Sequence, residues 1–176
     1  MKKRILFTAF ICALFYAQGT FAQTNLDSLF KIWNDQSAHD PMSLIAVGEA
    51  AEKGYLFSQP DSAFYLYQEQ YDFAEAKGLT KYMGIALGNQ AFSFLIRSRY
   101  FQALDYYQKS LKIQTEMKDQ FRIAGSMNGI AIIYTVLGDY AKSLEYYSRI
   151  LELNESLGNQ TVAAGTAVNM AGCYYE

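Results

Sequence analysis

One segment of the sequence returns after forty residues, and this period constrains the fold more than any other feature. Residues 100–113, YFQALDYYQKSLKI, align without a gap with residues 140–153, YAKSLEYYSRILEL. Forty residues earlier, the segment 60–73 carries a similar pattern of small and aromatic residues. Periods of about 20–50 residues are typical of solenoids, in which each repeat buries its apolar side only against its neighbours. The sequence therefore predicts a repeat protein.

The apolar residues within each repeat follow helical spacing. In the first half of one repeat, four residues form an i, i+3, i+4, i+7 stripe: Met127, Ile130, Ala131 and Tyr134. A second stripe, with spacings of four and three, runs through residues 140–154. Glycine followed by Asp or Asn separates the two halves at Gly138 and one repeat from the next at Gly158. The predicted fold class is therefore all-α, an α-α superhelix of antiparallel helical hairpins.

Small residues recur where two helices of the superhelix are expected to pack closely. They are Ala91, Ala131 and Gly172 in the first helices, and Ala63, Ala103 and Ser143 in the second helices. A large side chain in these slots would hold the two backbones apart. Phe94 and Tyr134, with Tyr107 and Tyr147, are predicted to fill the space beside these contacts.

The pattern resembles the tetratricopeptide repeat (TPR). The match runs in order through Met127, Ile130, Ala131, Tyr134, Gly138, Asp139, Tyr140, Ser143, Tyr147 and Ile150. The sequence departs from the family pattern at Gln90, an apolar slot, and at Ser98, a glycine slot. Thr115 and Glu155 stand in the slot of the family's terminal proline, so the second helix is expected to continue for another turn. This accounts for a period of forty where the family repeat has about 34.

The first 22 residues have the features of a secretory signal peptide. Lys2, Lys3 and Arg4 precede an apolar run at residues 5–17, and small residues precede the expected cleavage near Ala22. As a helix the run would rise only about 20 Å, less than the ~30 Å hydrocarbon core, which disfavours a membrane anchor. We therefore expect the protein to be exported and to be periplasmic or extracytoplasmic after cleavage.

The rest of the chain divides into a lid and a solenoid. Residues 23–39 are expected to form an N-terminal lid helix and loop, because an apolar stripe runs from Leu26 to Trp33. The resemblance implies a TPR-like solenoid over residues 40–176. Its expected units are hairpins at about 40–78, 79–118 and 119–158, and a half unit at 159–176.

Composition and reactive residues favour binding over catalysis. The formal net charge is −2, and Lys2, Lys3 and Arg4 are the only cluster of basic residues, so nucleic acid is not expected as a partner. His39 is the only histidine, which disfavours histidine-based catalysis and metal binding. Cys173 could be a nucleophile, but a single thiol in a helix is more often a small buried residue. We expect no cofactor and no enzymatic activity in this part of the protein.

The resemblance implies that the first helices line a concave groove that binds a peptide. Its candidate residues are Asn89, Phe92, Leu95, Asn128, Ile132, Thr135, Asn169 and Cys173. Asparagine amides can pair with an extended peptide backbone, and the larger side chains can supply apolar contacts. The alternative is that some of these residues pack against the next repeat.

Two functional interpretations follow from the signal peptide together with the repeats. The chain resembles the exported N-terminal region of bacterial TPR-containing regulators, which implies a sensory part followed by a membrane helix and a histidine kinase or transcriptional regulator. The alternative is a freestanding periplasmic scaffold or assembly factor. Because the last helix presents Val168, Ala171 and Tyr175 without a following helix, we expect a fragment of a longer protein whose end frays or self-associates. Membrane contact is expected only through such a continuation.

Overall fold

A computed structural model of the protein describes residues 25–35 and 40–174. Within these ranges the chain forms helices joined by short turns, with no strand, and the expected all-α fold is confirmed. The helices are α1 (25–34), α2 (Asp40–Ala50), α3 (Pro60–Ala76), α4 (Thr80–Leu95), α5 (Tyr100–Glu116), α6 (Gln120–Val136), α7 (Tyr140–Ser156) and α8 (Gln160–Tyr174). A π-helical turn, Ala51–Tyr55, continues α2. The predicted signal peptide (1–22), His39 and Tyr175 lie outside the described residues.

The forty-residue period of the sequence is the period of the structure. The second helices α3, α5 and α7 begin at Pro60, Tyr100 and Tyr140, and the first helices α4, α6 and α8 begin at positions 80, 120 and 160. From α3 to α8, each helix packs against the next one along the chain. Thr115 and Glu155 lie inside α5 and α7, so the second helices do extend through the slot where the family has proline.

Each of the five turns that join consecutive helices from α3 to α8 contains one residue in the left-handed conformation. These residues recur at intervals of twenty: Gly78, Ser98, Lys118, Gly138 and Gly158. In the turn between α6 and α7, the N–H of Asp139 donates to the carbonyl oxygen of Tyr134 at 2.9 Å, which closes the end of the helix. Ser98 adopts a φ of 57° in the slot where Gly138 has 77°, so the departure from the family pattern keeps the turn geometry.

The second helices bury the same four slots in each repeat. The slots are Ala63, Ala103 and Ser143; Tyr67, Tyr107 and Tyr147; Gln70, Ser110 and Ile150; Ala74, Gln114 and Asn154. The equivalence of Ala103 and Ser143 is confirmed, since both are fully buried. The Ser143 hydroxyl donates to the carbonyl oxygen of Ala131 at 3.0 Å, which shows how closely α7 approaches α6. Small side chains are therefore required at this contact.

Aromatic side chains fill the space beside the small residues. Phe94 and Tyr106 lie with ring centroids 5.2 Å apart, and their equivalents forty residues later, Tyr134 and Tyr146, stack at 6.0 Å. Burying an aromatic side chain of this size stabilises the fold by about 1.5–3 kcal/mol. The aromatic pairs thus join each first helix to the second helix that follows it.

Helix α1 lies on the hairpin formed by α2, the π-helical turn and α3. The Phe30 ring meets Tyr55 edge-on at 6.4 Å, and Trp33 meets Phe73 at 5.4 Å. A Cβ atom at Gly54 would lie 2.9 Å from a methyl carbon of Leu26, so α1 packs directly on the backbone of the π-helical turn. Among the described helices, none has the length and apolar character needed to cross a membrane.

Candidate functional site

The first helices α4, α6 and α8 line a concave cavity of about 630 Å³. Buried side chains of α5 and α7 form the rest of its wall, among them Tyr107, Gln114 and Ile150. This volume lies in the range of sites that hold a small ligand or part of a peptide, about 300–1,000 Å³. The cavity is the candidate functional site of the described part of the chain.

Four of the eight predicted groove residues line this cavity. They are Asn89 and Phe92 on α4, Asn128 on α6 and Asn169 on α8. Leu95 packs against the core around Phe94 instead. Ile132 is half-buried and does not line the cavity.

Thr135 and Cys173, which were also predicted as groove residues, lie in the helix interface and do not line the cavity. The Thr135 hydroxyl lies 2.6 Å from the Ser143 hydroxyl, between α6 and α7. Cys173 is 5% exposed and packs with Met127 and Tyr147. Its sulfur lies 3.5 Å from the hydroxyl oxygens of both Thr135 and Ser143. Cys173 is turned inward because it continues the stripe on α8 that faces α7, so it fills the place of a small buried residue.

The cavity contains side-chain amides that are free to bind a ligand. Five asparagines line it, and one of them, Asn154, donates to the carbonyl oxygen of Ile150 at 2.9 Å. The other four are Asn89, Asn128, Asn159 and Asn169. Their amide groups make no hydrogen bond to any residue in the ranges 25–35 and 40–174. Each amide offers two N–H donors and one carbonyl acceptor.

Other polar side chains of the cavity wall are occupied by a buried network. The Ser110 hydroxyl donates to the carbonyl oxygen of Gly84 at 2.7 Å, and the Gln114 amide donates to the Ser110 oxygen at 2.7 Å. The Ser126 hydroxyl donates to the Gln114 carbonyl oxygen at 2.9 Å. The network ties α4, α5 and α6 together. The sequence analysis did not predict this network. The polar residues Gln114 and Asn154, which share one buried slot of the second helices, could have indicated it.

The cavity wall has no unpaired charge among the described residues. Arg122 is the charged side chain that lines it, and its guanidinium lies 3.5 Å from the carboxylate of Asp119. The Tyr107 hydroxyl is neutral, because burial raises the pKa of this side chain. The surface offered to a ligand is therefore mainly polar and neutral, and its one charged side chain among the described residues is Arg122.

Two glycines create much of the open space. An added Cβ atom at Gly125 on α6 or at Gly165 on α8 would meet no atom within 4 Å, and both residues line the cavity. Glycine within a helix is less favourable than alanine by about 1 kcal/mol. The chain thus accepts a local loss of helix stability at two equivalent positions of the cavity.

Exposed phenylalanines extend the site. Phe121 lines the cavity and is 79% exposed. Phe57, which is 78% exposed, lies in the turn before α3, and its ring meets Phe92 edge-on at 6.3 Å. Aromatic side chains this exposed provide apolar contact area for a partner. Within the described ranges, no group of three or more His, Cys, Asp and Glu residues could hold a metal ion.

No protein-family model matches the sequence, and no curated protein matches it. Solved structures do match the fold. BtubC (BKLC) from P. vanneervenii superposes with a TM-score of 0.72 at 17% identity, over 86% of this chain and 63% of its own. Aspartyl phosphate phosphatase F from Bacillus subtilis superposes with a TM-score of 0.71 at 21% identity, over 82% of this chain and 38% of its own.

These similarities establish the fold. The chain has a TPR-like helical repeat fold, as the resemblance of its motifs implied. It spans 63% and 38% of the lengths of the two similar proteins.

Proposed function

We propose that this chain is a protein-interaction module and that a peptide segment of its partner binds in the cavity between α4, α6 and α8. The observation that carries the proposal is the set of free asparagine amides in the cavity wall, beside Gly125 and Gly165. A protein that binds peptides gains from amides that pair with the backbone and from apolar side chains that contact alternate residues. The module acts by binding and has no catalytic role of its own.

We also propose that the module is the exported sensory part of a bacterial signalling protein. The signal-peptide pattern of residues 1–22 and the TPR-like fold support this assignment. The similarity to an aspartyl phosphate phosphatase is one of fold and carries no phosphatase chemistry to this chain. The competing assignment is a freestanding periplasmic scaffold. Reading the gene beyond Glu176 separates the two, because a run of ~20 apolar residues followed by a kinase or helix-turn-helix pattern would decide for the sensor.

Export can be tested with a reporter fusion. A phosphatase reporter that is active only outside the cytoplasm, fused after Glu176, should be active in the producing cell, and deletion of residues 1–22 should abolish its activity. A fusion that is active only as a cytoplasmic reporter would contradict the proposed location.

The binding site is tested by filling the cavity. We expect Gly125→Tyr to keep the fold, since Gly125 is exposed and a side chain there meets open space. Random peptides displayed on phage and selected on the unmodified chain should lose about tenfold or more in affinity for this variant. The matched control is Ala141→Tyr, which adds the same ring on α7 at an exposed position outside the cavity. Equal binding by Gly125→Tyr and the unmodified chain would refute the cavity as the binding site.

A further inference from the structure

We propose that the surface beneath α1 is a second binding site, which accepts an amphipathic helix of a partner protein when α1 leaves it. This surface, which we call the α1 seat, consists of Gly54 and Tyr55 in the π-helical turn and Phe73 near the end of α3. None of these three residues lines the cavity between α4, α6 and α8, so the proposal concerns a different site. Helix α1 fills the seat and shows which chemistry the seat recognises.

The apolar residues of α1 have the spacing of a helix that binds in a groove. Four of them stand at positions i, i+3, i+4 and i+7 on one face of the helix: Leu26, Leu29, Phe30 and Trp33. Amphipathic helices that dock into grooves of other proteins use this same set of anchors. On the other face, Ser28 and Lys31 are exposed. Helix α1 therefore has the features of a bound ligand helix that belongs to the same chain.

The seat has space for these anchors because the first repeat lacks a side chain that the later repeats have. Gly54 stands forty residues before Phe94 and eighty before Tyr134 in the sequence. A Cβ atom at Gly54 would lie 2.9 Å from a methyl carbon of Leu26. The Leu26 side chain thus occupies space that a side chain at position 54 would otherwise fill.

Two aromatic rings give the seat its specificity. The Phe30 ring lies 6.4 Å from the Tyr55 ring, and the Trp33 ring lies 5.4 Å from the Phe73 ring, both edge-on. Edge-to-face pairs of this kind contribute beyond the apolar area that they bury. The seat should therefore select helices that carry aromatic residues at the i+4 and i+7 positions of the stripe.

Helix α1 is held less tightly than the helices of the repeats. No residue of α1 is fully buried, whereas each helix from α3 to α8 buries three or more. Segments with few buried contacts open at a lower free energy than the whole fold. Helix α1 can therefore leave the seat while the repeats stay folded. Because α1 is tethered beside the seat, it competes with a partner helix as an intramolecular ligand.

Binding of a synthetic helix to three forms of the full chain tests the proposal. The probe is a fluorescently labelled, N-acetylated peptide of residues 25–35, the sequence of α1. The opened chain carries Leu29→Ser and Phe30→Ser, which remove two anchors from α1. The locked chain carries Leu26→Cys and Gly54→Cys, which a disulfide is to join. An added Cβ atom at Gly54 lies 3.6 Å from Cγ of Leu26, and a disulfide holds its two Cβ atoms about 3.5–4.5 Å apart.

The opened chain should bind the probe about tenfold or more tightly than the unmodified chain, because its own α1 no longer fills the seat. The oxidised locked chain should bind about tenfold or more weakly than the unmodified chain, and reduction should restore binding. The matched control is Ser28→Ala with Lys31→Ala, on the exposed face of α1. It should change the affinity by less than about twofold.

Trp33 reports the position of α1 in the unmodified chain, because it is the only tryptophan of the sequence. An unlabelled probe that carries Phe in place of this tryptophan should displace α1 from the seat. The tryptophan emission of the chain should then move to longer wavelength as Trp33 leaves Phe73 for water.

Four results would overturn the proposal. One is equal binding of the probe by the opened chain and the oxidised locked chain, both folded by circular dichroism. A second is equal binding of a probe whose Leu29 and Phe30 are replaced by Ser. A third is loss of the helical fold in the opened chain, since the repeats must stay folded without α1. The fourth is a dimer of the unmodified chain that the disulfide abolishes, because the occupant would then be α1 of a second copy.

Discussion

Helices α6 and α8 occupy the same place in successive repeats but are covered differently. Helix α6 packs against α5 and α7 on its two sides, whereas α8 packs mainly against α7 among the described helices. Ala131 on α6 is fully buried, whereas Ala171, which lies forty residues later on α8, is exposed. Gly172, which the sequence pattern predicted for this slot, is exposed as well. Tyr134 is half-buried, and its equivalent Tyr174 is 71% exposed. The same pattern of residues therefore produces a core in one helix and a surface in the other.

The comparison separates two faces of a first helix. The face that receives the following helix depends on that neighbour for its burial, as expected for a solenoid. The face that lines the cavity is alike in both helices, since each presents a glycine and a free asparagine. A substitution on the first face should therefore change the free energy of unfolding by different amounts in α6 and α8. A substitution on the cavity face should change it by similar amounts in both helices.

The largest difference is expected for truncation of the central apolar side chain. Ile130→Ala on α6 should lower the free energy of unfolding by about 2–5 kcal/mol, because Ile130 is fully buried and the truncation leaves a cavity. Met170→Ala at the equivalent, half-buried position on α8 should lower it by about 1 kcal/mol or less. Urea unfolding with an unchanged m-value measures both. Equal losses would mean that α8 is as fully packed as α6.

A smaller difference between α6 and α8 is expected when the small residue of each helix is replaced by a larger one. Ala131→Leu should destabilise by about 1–3 kcal/mol, because its surroundings include Tyr147 and the buried Cys173. Ala171→Leu should stay within about 0.5 kcal/mol, as surface substitutions do. Ala103→Leu, in the equivalent contact of the preceding hairpin, should behave like Ala131→Leu. Thermal unfolding monitored by circular dichroism checks all three, and a neutral Ala131→Leu would show that the helix contact is looser than described.

The smallest change in stability is expected for substitutions on the cavity face, and it should be similar in α6 and α8. Gly125→Ala and Gly165→Ala should each stabilise by up to about 1 kcal/mol, because alanine favours the helix and its Cβ meets open space. Gly129→Ala, four residues along α6 from Gly125, is the matched control and should destabilise, since its Cβ would overlap the Tyr107 ring. The midpoint of thermal unfolding should rise for the first two and fall for the third. A fall for Gly125→Ala would indicate that the cavity is closed.

Much of the fold was predictable because equivalent positions in successive repeats make the same contact, so that the sequence shows its pattern several times. The alignment of Ala103 with Ser143 predicted that both are buried at a close helix contact, and both are. The glycines at 138 and 158 predicted two of the turns, while Lys118, also left-handed, carries no such signal in its residue type. A lysine takes this conformation because the helices on both sides of the turn are held in place by their packing.

The candidate site was predictable only in part, for a geometric reason. Residues three and four apart share a helix face only approximately, so a stripe predicted from spacing includes neighbours that point into an interface. Thr135 turned out to lie against Ser143, and Cys173 against both. Asn89, Asn128 and Asn169 line the cavity, because polar amides are disfavoured in the apolar contacts beside them.

The sequence by itself determined the helical hairpin, its forty-residue repetition and the small and aromatic slots of its core, because these depend on spacings along one chain. Only the tertiary structure decided which amides remain free, which are used in the network of Ser110, Gln114 and Ser126, and where the missing side chains of Gly125 and Gly165 open into a cavity. Those properties depend on how far each helix turns and how closely the next one approaches. Such distances arise from the packing of residues far apart in the sequence, which no local pattern encodes.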